Sequence, residues 1–387
     1  MVRLPASLRV GWQQVSHNKT KLLVASAGVI VAVMLMLVQL GIRRGAIDSS
    51  IAVAKRLTAD VVVVSPRTKT IFQPSSVPRS MFYRVMAHPE VERVQSLYVG
   101  RAVFRNPWSD IEFPISVYGI DPDRPMMDLP GYESMQQILE RADRICFDRQ
   151  SRPTYGPVAD ELDKSRNVIT EVNHREVHVV GSVSVGVSIN TDGNLYVSPA
   201  NFLRLFPDRN PGSIDIGLVR LTSDSDPQAV ASTLSELLGK EARVLPCQDL
   251  VDAEETYLRE TAPLDFIFGM GTAVGFFIGF VVVYQILYTE VTNHLPHYAT
   301  LKAMGFRQSF LVRIVLSQAV IFSIFGFVPG FLMALGIYSV ATDAIQMPII
   351  MTIDRAVTVF VVTLSMCGLS GLIAIRQLSS AQPADVF

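Results

Sequence analysis

Charge is what this chain has least of. Of its 387 residues only 18% are Asp, Glu, Lys or Arg, while 49% are hydrophobic and the mean hydropathy is +0.32. That balance argues against an ordinary soluble globule and points to a membrane class. The formal net charge of -1 offers no basic footprint, so nucleic acid is not an expected partner. Cysteine is scarce too: Cys146, Cys247 and Cys367 match no zinc or redox spacing. No Gly-x4-Gly-Lys-Ser/Thr loop occurs. Gly239-Lys240 is followed by Glu241 and lacks the upstream glycine, so the chain is not its own ATPase by that route. No Gly-x-Ser-x-Gly elbow organises its Ser, His and Asp residues, which leaves an enzyme reading without a nucleophile. No catalytic, cofactor-binding or metal residues are expected.

Charged residues are missing altogether from four stretches: Leu22–Ile42, Phe266–Tyr288, Ile314–Ala341 and Ala356–Ile375. The first alone, at 1.5 Å per residue, reaches roughly 31 Å, about one hydrocarbon core. Its apolar run and polar lead-in are both too long for a cleaved signal peptide, so it reads as a retained anchor. Four spans without an ionisable interior residue speak against an ion-coupled transporter, which needs such groups at membrane depth. Gln285 and Gln318 are the main polar exceptions, suited to bonds between helices.

The remaining chain divides around these spans. Residues 1–21 place Leu4, Leu8, Trp12 and Val15 on one helical face, which reads as an interfacial elbow helix. Residues 43–262 hold nearly all the acidic residues and many prolines, enough chain for its own core. Ala59–Ser65, Val91–Phe104, Ile111–Gly119 and Ser213–Thr222 read as strands, and Val168–Ile189 as one or two. Ser80–His88, capped by Ser80, reads as a helix, as do Tyr132–Asp143 and Pro227–Leu238. Strands and helices without a βαβ rhythm predict an α+β domain. Asp249–Pro263 reads as a helical stalk, residues 342–355 as a short outer loop, and residues 376–387 as a tail. In this topology Cys146 and Cys247 lie on the same side, where a disulfide is chemically allowed; two ordinary buried thiols are the alternative. The fold class expected is therefore a membrane protein: four transmembrane α-helices, with a large α+β extracytoplasmic domain between helices 1 and 2.

The polar stretch Thr289–Ser309 lies between two apolar runs. Its segment Tyr298–Met304 is rich in helix formers and ends at Gly305, a helix stop. A short helix at the membrane surface is expected there. Positive charges flanking the first span tie. Lys302, Arg307, Arg313 and Arg376 against Arg259 and Arg355 break the tie, placing the termini and this loop in the cytoplasm.

His174, Glu176 and His178 invite a metal reading. If the surrounding residues form one strand, however, His174 and His178 stand roughly 13 Å apart, too far to share an ion. His294 and His297 flank Pro296 without an acidic or Cys partner. In the second span Gly271, Gly275 and Gly279 recur every fourth residue, a smooth stripe for close packing against the third or fourth span or against a second copy of the chain. Gly326, Pro329 and Gly330 predict a kink or soft point in the third span, a static bend being the alternative.

One span, a large outer domain, then three bunched spans resembles the MacB/FtsX-type permeases of ABC transporters. The segment His297-Tyr-Ala-Thr-Leu-Lys-Ala-Met-Gly-Phe306 is similar to that family's Glu-[Ile/Tyr]-[Gly/Ala]-x-Leu-Lys-Ala-[Met/Leu]-Gly segment, with His297 in place of the usual acidic residue. Asp148–Gly156, Tyr298-Ala-Thr300 and the end Pro383–Phe387 resemble the DevC branch more narrowly. The resemblance implies a non-catalytic subunit that works as a homodimer with two copies of a separate ABC ATPase, which alone would hold ATP and Mg. Residues His297, Tyr298, Ala299, Thr300, Leu301, Lys302, Met304, Gly305 and Phe306 would form the coupling helix seated on that ATPase. It further implies mechanotransmission in a bacterial inner membrane, with a periplasmic adaptor and a TolC-like outer-membrane duct exporting a glycolipid or other envelope molecule. A lipoprotein-extraction or cell-division permease of the same architecture is the alternative. A ligand-sensing membrane receptor, from a different class, would need a cytoplasmic signalling module, and the cytoplasmic segments are too short for one.

Overall fold

A computed structural model describes residues 19–131, 136–296, 300, 304–345 and 349–379. In chain order, helix α1 is Lys19–Ser50 and α2 is Ala52–Lys55. Then come β1 (Val61–Val64), β2 (Val77–Pro78), α3 (Met81–Met86), β3 (Val91–Arg105) and β4 (Glu112–Gly119). Next are α4 (Gln136–Leu139), β5 (Arg144–Asp148), α5 (Val158–Asp163), β6 (Val168–Val172), β7 (Arg175–Val183) and β8 (Asn194–Val197). They are followed by α6 (Pro199–Leu205), β9 (Ser213–Ile214), β10 (Ile216–Leu221), α7 (Pro227–Leu238), β11 (Arg243–Pro246) and α8 (Cys247–Thr261). Helices α9 (Leu264–Asn293), α10 (Gln308–Ile345) and α11 (Ile353–Ser379) complete it. The expected class holds: four long apolar helices, with an α+β domain between the first and the second.

The chain forms two compact units. In the helical unit, α1, α9, α10 and α11 are each long and apolar enough to cross a membrane. They bury Val33, Met36, Leu287, Ala319, Phe322 and Met366 among themselves and leave Phe277, Leu332, Val340 and Val357 exposed. A helix with an apolar outer face suits lipid as its solvent.

The α+β unit is organised by β3. Its first half pairs antiparallel with β10, through Leu97 opposite Ile216, and its second half pairs with β4 from Tyr98 to Arg105. From there the order runs β4-β8-β5-β7-β6, and β6 returns to β3 through Phe104 opposite Val172 and Arg105 opposite Glu171. Six strands thus close on themselves, which removes the edges an open sheet would expose. On the other side of β3, β10, β1 and β11 form a flank covered by α7. Strand alternation sends Ile115, Val117, Ile145, Phe147, Leu195 and Val197 to one core, where Phe104 meets Tyr155 edge-on at 5.5 Å.

Several sequence expectations change. Ser80 does not cap α3: its backbone is already helical and its side chain makes no capping bond. Within Tyr132–Asp143 the described helix is only Gln136–Leu139. Asp143, at φ +58°, leaves helical geometry one residue before β5. The stretch around His174 is not one strand. Asn173 and His174, at φ +50° and +60°, make the tight turn between β6 and β7, with both central residues left-handed as a primed hairpin turn requires. The proposed elbow lies largely outside the described residues.

Candidate functional site

Helix α9 ends at Asn293 with His294 as its C-cap, and His294 Nε2 lies 3.0 Å from Glu290 Oε1 one turn earlier. Beyond it, Thr300 Oγ1 donates to the Pro296 carbonyl at 2.9 Å, and Met304 N–H donates to the Thr300 carbonyl at 3.0 Å, a helical i→i−4 bond. Gly305 follows at φ +90°, a conformation that costs glycine nothing and ends a helix. Met304 and Phe306 on either side of it are 63% and 43% exposed, and the Phe306 ring lies 4.9 Å from Phe310 in α10. Two exposed apolar side chains thus flank a glycine of positive φ. His297, Tyr298, Ala299, Leu301 and Lys302 lie outside the described residues.

The glycine stripe packs within the chain, against α1. A Cβ on Gly275 would come 3.0 Å from Leu35 Cδ2, and one on Gly271 would come 2.6 Å from the Gln39 amide. Gly279 faces Ala32 at 2.7 Å and, on α11, Met366 Sδ at 2.7 Å. Of the partners expected for the stripe, the fourth span is met at Gly279; its main partner, the first span, was not among them. Gly326 and Gly330 also serve close approach. A Cβ at Gly326 would strike Val29, and one at Gly330 would lie 2.9 Å from the Ile30 carbonyl. Helix α10 continues unbroken through Pro329. Two positions that the sequence reading passed over complete the arrangement: Gly28 faces Val282, and Gly41 faces the Tyr338 ring. The Tyr338 hydroxyl donates to the Leu37 carbonyl and accepts from Arg355 Nη1 at 3.4 Å. Ser370 Oγ donates to the Phe280 carbonyl at 3.0 Å, tying α11 to α9. Helix α1 is therefore the shared surface on which α9 and α10 pack.

In the α+β unit, Asp148 is fully buried and accepts from Val185 N–H (3.1 Å), Gly186 N–H (2.8 Å) and Asn194 Nδ2 (2.8 Å). Tyr155 donates to the Pro114 carbonyl at 2.5 Å, and Gly156, at φ +88°, sits under the Trp108 ring. The stretch Asp148–Gly156 is thus a structural clamp. Among the described residues no cluster of His, Cys, Asp or Glu is placed to hold a metal. Cys146 and Cys247 are both free thiols, so the allowed disulfide is not formed. Burial pushes their pKa values up, to about 12 and about 11, which keeps both protonated and unreactive.

Residues 267–383 match the family model described as FtsX-like permease C-terminal. No curated protein matches the chain. Among solved structures it is similar to the periplasmic region of MacB from Actinobacillus actinomycetemcomitans, at 14% identity and a TM-score of 0.35, over 51% of this chain and 94% of that one. It is also similar to the extracellular domain of the noncanonic ABC-type transporter YknZ from Gram-positive bacteria, at 14% identity and a TM-score of 0.33, over 48% of this chain and 98% of that one. Residues 267–383, which hold the last three of the four long apolar helices, thus carry the likeness to the FtsX-like permeases, a family of transport components.

Proposed function

We propose that this chain is the non-catalytic permease subunit of an ABC exporter, converting ATP-driven motion of a separate ATPase into rearrangement of its extracytoplasmic domain. The observation that carries the reading is the match of residues 267–383 to the FtsX-like permease model, which covers the loop between α9 and α10. In this reading the loop is cytoplasmic. Met304, Phe306 and the helix stop at Gly305 form part of the surface that seats on the ATPase, with Tyr298, Leu301 and Lys302 completing it. Motion at that loop passes into α9, whose glycine stripe grips α1, and both helices lead in sequence to the α+β domain. The absence of charged groups within the four spans supports mechanics over conduction, since a polar cargo would find no partners along them.

The working assembly in this proposal is two copies of this chain and two of the ATPase, which binds ATP and Mg. A periplasmic adaptor and a TolC-like outer-membrane protein complete a DevC-like tripartite exporter for a glycolipid or other envelope molecule in the bacterial inner membrane. The test is co-purification of the full chain with the ATPase and adaptor encoded beside it, followed by ATP turnover in nanodiscs. Turnover that rises when this chain and the adaptor are both present supports the proposal; recovery with the ATPase but no adaptor moves it toward the lipoprotein-extraction or cell-division type.

A further inference from the structure

The α+β unit contains a recess of about 230 Å³ that force coupling does not use. It is lined by Glu254, Tyr257 and Leu258 of α8, by Thr70, Phe72 and Gln73, and by Arg101, Ile189 and Asn190. Arg101 stands on β3 opposite Ser116 of β4. One of its Nη2 hydrogens goes to the Asn190 carbonyl at 2.5 Å. A guanidinium has five N–H donors, and among the described residues no carboxylate forms an ion pair with this one. The one carboxylate in the recess, Glu254, is already committed. It is 6% exposed and accepts from Ile71 N–H at 2.6 Å and Thr70 Oγ1 at 2.8 Å. The recess is therefore lined by a cation with spare donors, the exposed Arg101, and by the apolar side chains of Phe72, Leu258 and the exposed Ile189.

We infer that this recess binds a small anionic amphiphile. Its carboxylate or phosphate monoester head would sit on Arg101, whose planar fork suits either group, and its short tail would lie along Phe72, Ile189 and Leu258. At the ~30 Å³ that each molecule of liquid water occupies, the volume admits a ligand of roughly eight heavy atoms, or the end of a longer chain. The ligand adds its contacts to the Glu254 bonds that already tie Thr70 and Ile71 to α8, and this binding is independent of how the chain meets an ATPase.

The test uses the full chain in phosphatidylcholine nanodiscs and follows amide hydrogen exchange in residues 70–73 and 254–261. The probes are octanoate, octyl phosphate, octanol, octyltrimethylammonium and inorganic phosphate. Saturable slowing of exchange by either octyl anion is expected, and the tighter of the two identifies the head group. Octanol and the octyl cation should bind at least tenfold more weakly, and inorganic phosphate should have no effect. Arg101→Gln should weaken the anion at least tenfold, and Leu258→Asn should do so by removing the tail contact. Equal protection by octanol and octanoate, full protection by inorganic phosphate, or undiminished binding to Arg101→Gln would each overturn the inference. If a variant fails to fold, the ligand series on the unaltered chain still decides.

Discussion

Arg43 Nε donates to Asp265 Oδ1 at 2.7 Å, joining the end of the apolar run in α1 to the first turn of α9. The two residues are 222 positions apart in sequence. Both side chains are partly exposed, so the pair adds at most about 1 kcal/mol to stability. Its proposed value is mechanical, because it makes α1 and α9 move together. Arg43→Asp is expected to leave the unfolding temperature nearly unchanged while lowering adaptor-stimulated ATP turnover in the reconstituted complex. The double variant Arg43→Asp, Asp265→Arg should restore turnover. Loss in the double variant equal to that in the single one would show that the pair itself is not responsible.

The glycines of α10 test packing against hinging. Gly330→Leu forces a side chain into the Ile30 carbonyl and Val33, and Gly326→Leu forces one into Val29. Overpacking of this kind costs about 1–3 kcal/mol. Gly336 has nothing within 4 Å of a built Cβ, so Gly336→Leu is the neutral control. Pro329→Ala should be tolerated, since α10 is already continuous there. Thermal unfolding of the four variants in nanodiscs, together with their stimulation of the partner ATPase, separates the readings: a hinge role predicts that Pro329→Ala harms coupling at unchanged stability, whereas packing predicts that the two glycine variants lose stability first.

Asp148, at the end of β5, ties down the segment 185–194 by accepting three of its N–H groups. Asp148→Ala takes the acceptor from the buried Val185 N–H and from the half-buried Gly186 N–H, at about 1–3 kcal/mol for a buried orphaned group, while Asn194 Nδ2 keeps the Gly186 carbonyl at 2.8 Å. The expected result is a chain whose α+β domain becomes protease-sensitive between residues 184 and 194 while its membrane helices stay protected. Unchanged proteolysis would contradict the clamp.

Glu254 gives a pH dependence with a definite sign. Burial raises its pKa above the usual carboxylate range, and the bonds from Thr70 and Ile71 only partly offset that. The folded chain thus binds this proton more tightly than the unfolded chain. The group's contribution to stability is full below the unfolded carboxylate pKa and is lost as pH rises through the folded value. Glu254→Gln should therefore gain on the original chain as pH is raised from about 4 to about 8, around the unperturbed Glu pKa of ~4.3 and above it. Parallel pH curves for the two proteins would contradict the assignment.

How much of this was legible in the sequence depends on the range of the interaction. The four spans were legible because charge-free runs of membrane length have few other meanings; α7 coincides with the expected Pro227–Leu238, and in the structure Asp226 caps it and Gly239 follows it. Val168–Ile189 reads from its alternation as one or two strands, and it forms two, β6 and β7; only the segment around His174, expected to be a single strand, departs. The primed turn at Asn173-His174 lacks glycine and leans on tertiary bonds: Asn173 Oδ1 accepts from Val103 N–H at 2.9 Å, and its amide donates to the Leu205 carbonyl. The return of β6 to β3 and the recess at Arg101 arise from pairings far apart in sequence, which no local pattern announces. The glycine spacing in α9 was visible, but the identity of its partner was not, because small-residue stripes look alike whichever helix they meet. Gly28 in α1, which meets Val282 of α9, was the signal that could have named it.

The most direct measurement is ATP hydrolysis by the neighbouring ATPase in nanodiscs, with this chain unaltered, with Leu301→Asp, or with Gly305→Pro, each shown folded by thermal unfolding. The account predicts no turnover by this chain alone, stimulation by the unaltered chain, and at least tenfold loss of that stimulation in both variants. Stimulation undiminished in the folded variants, or ATP turnover by the purified chain without its partner, would contradict it.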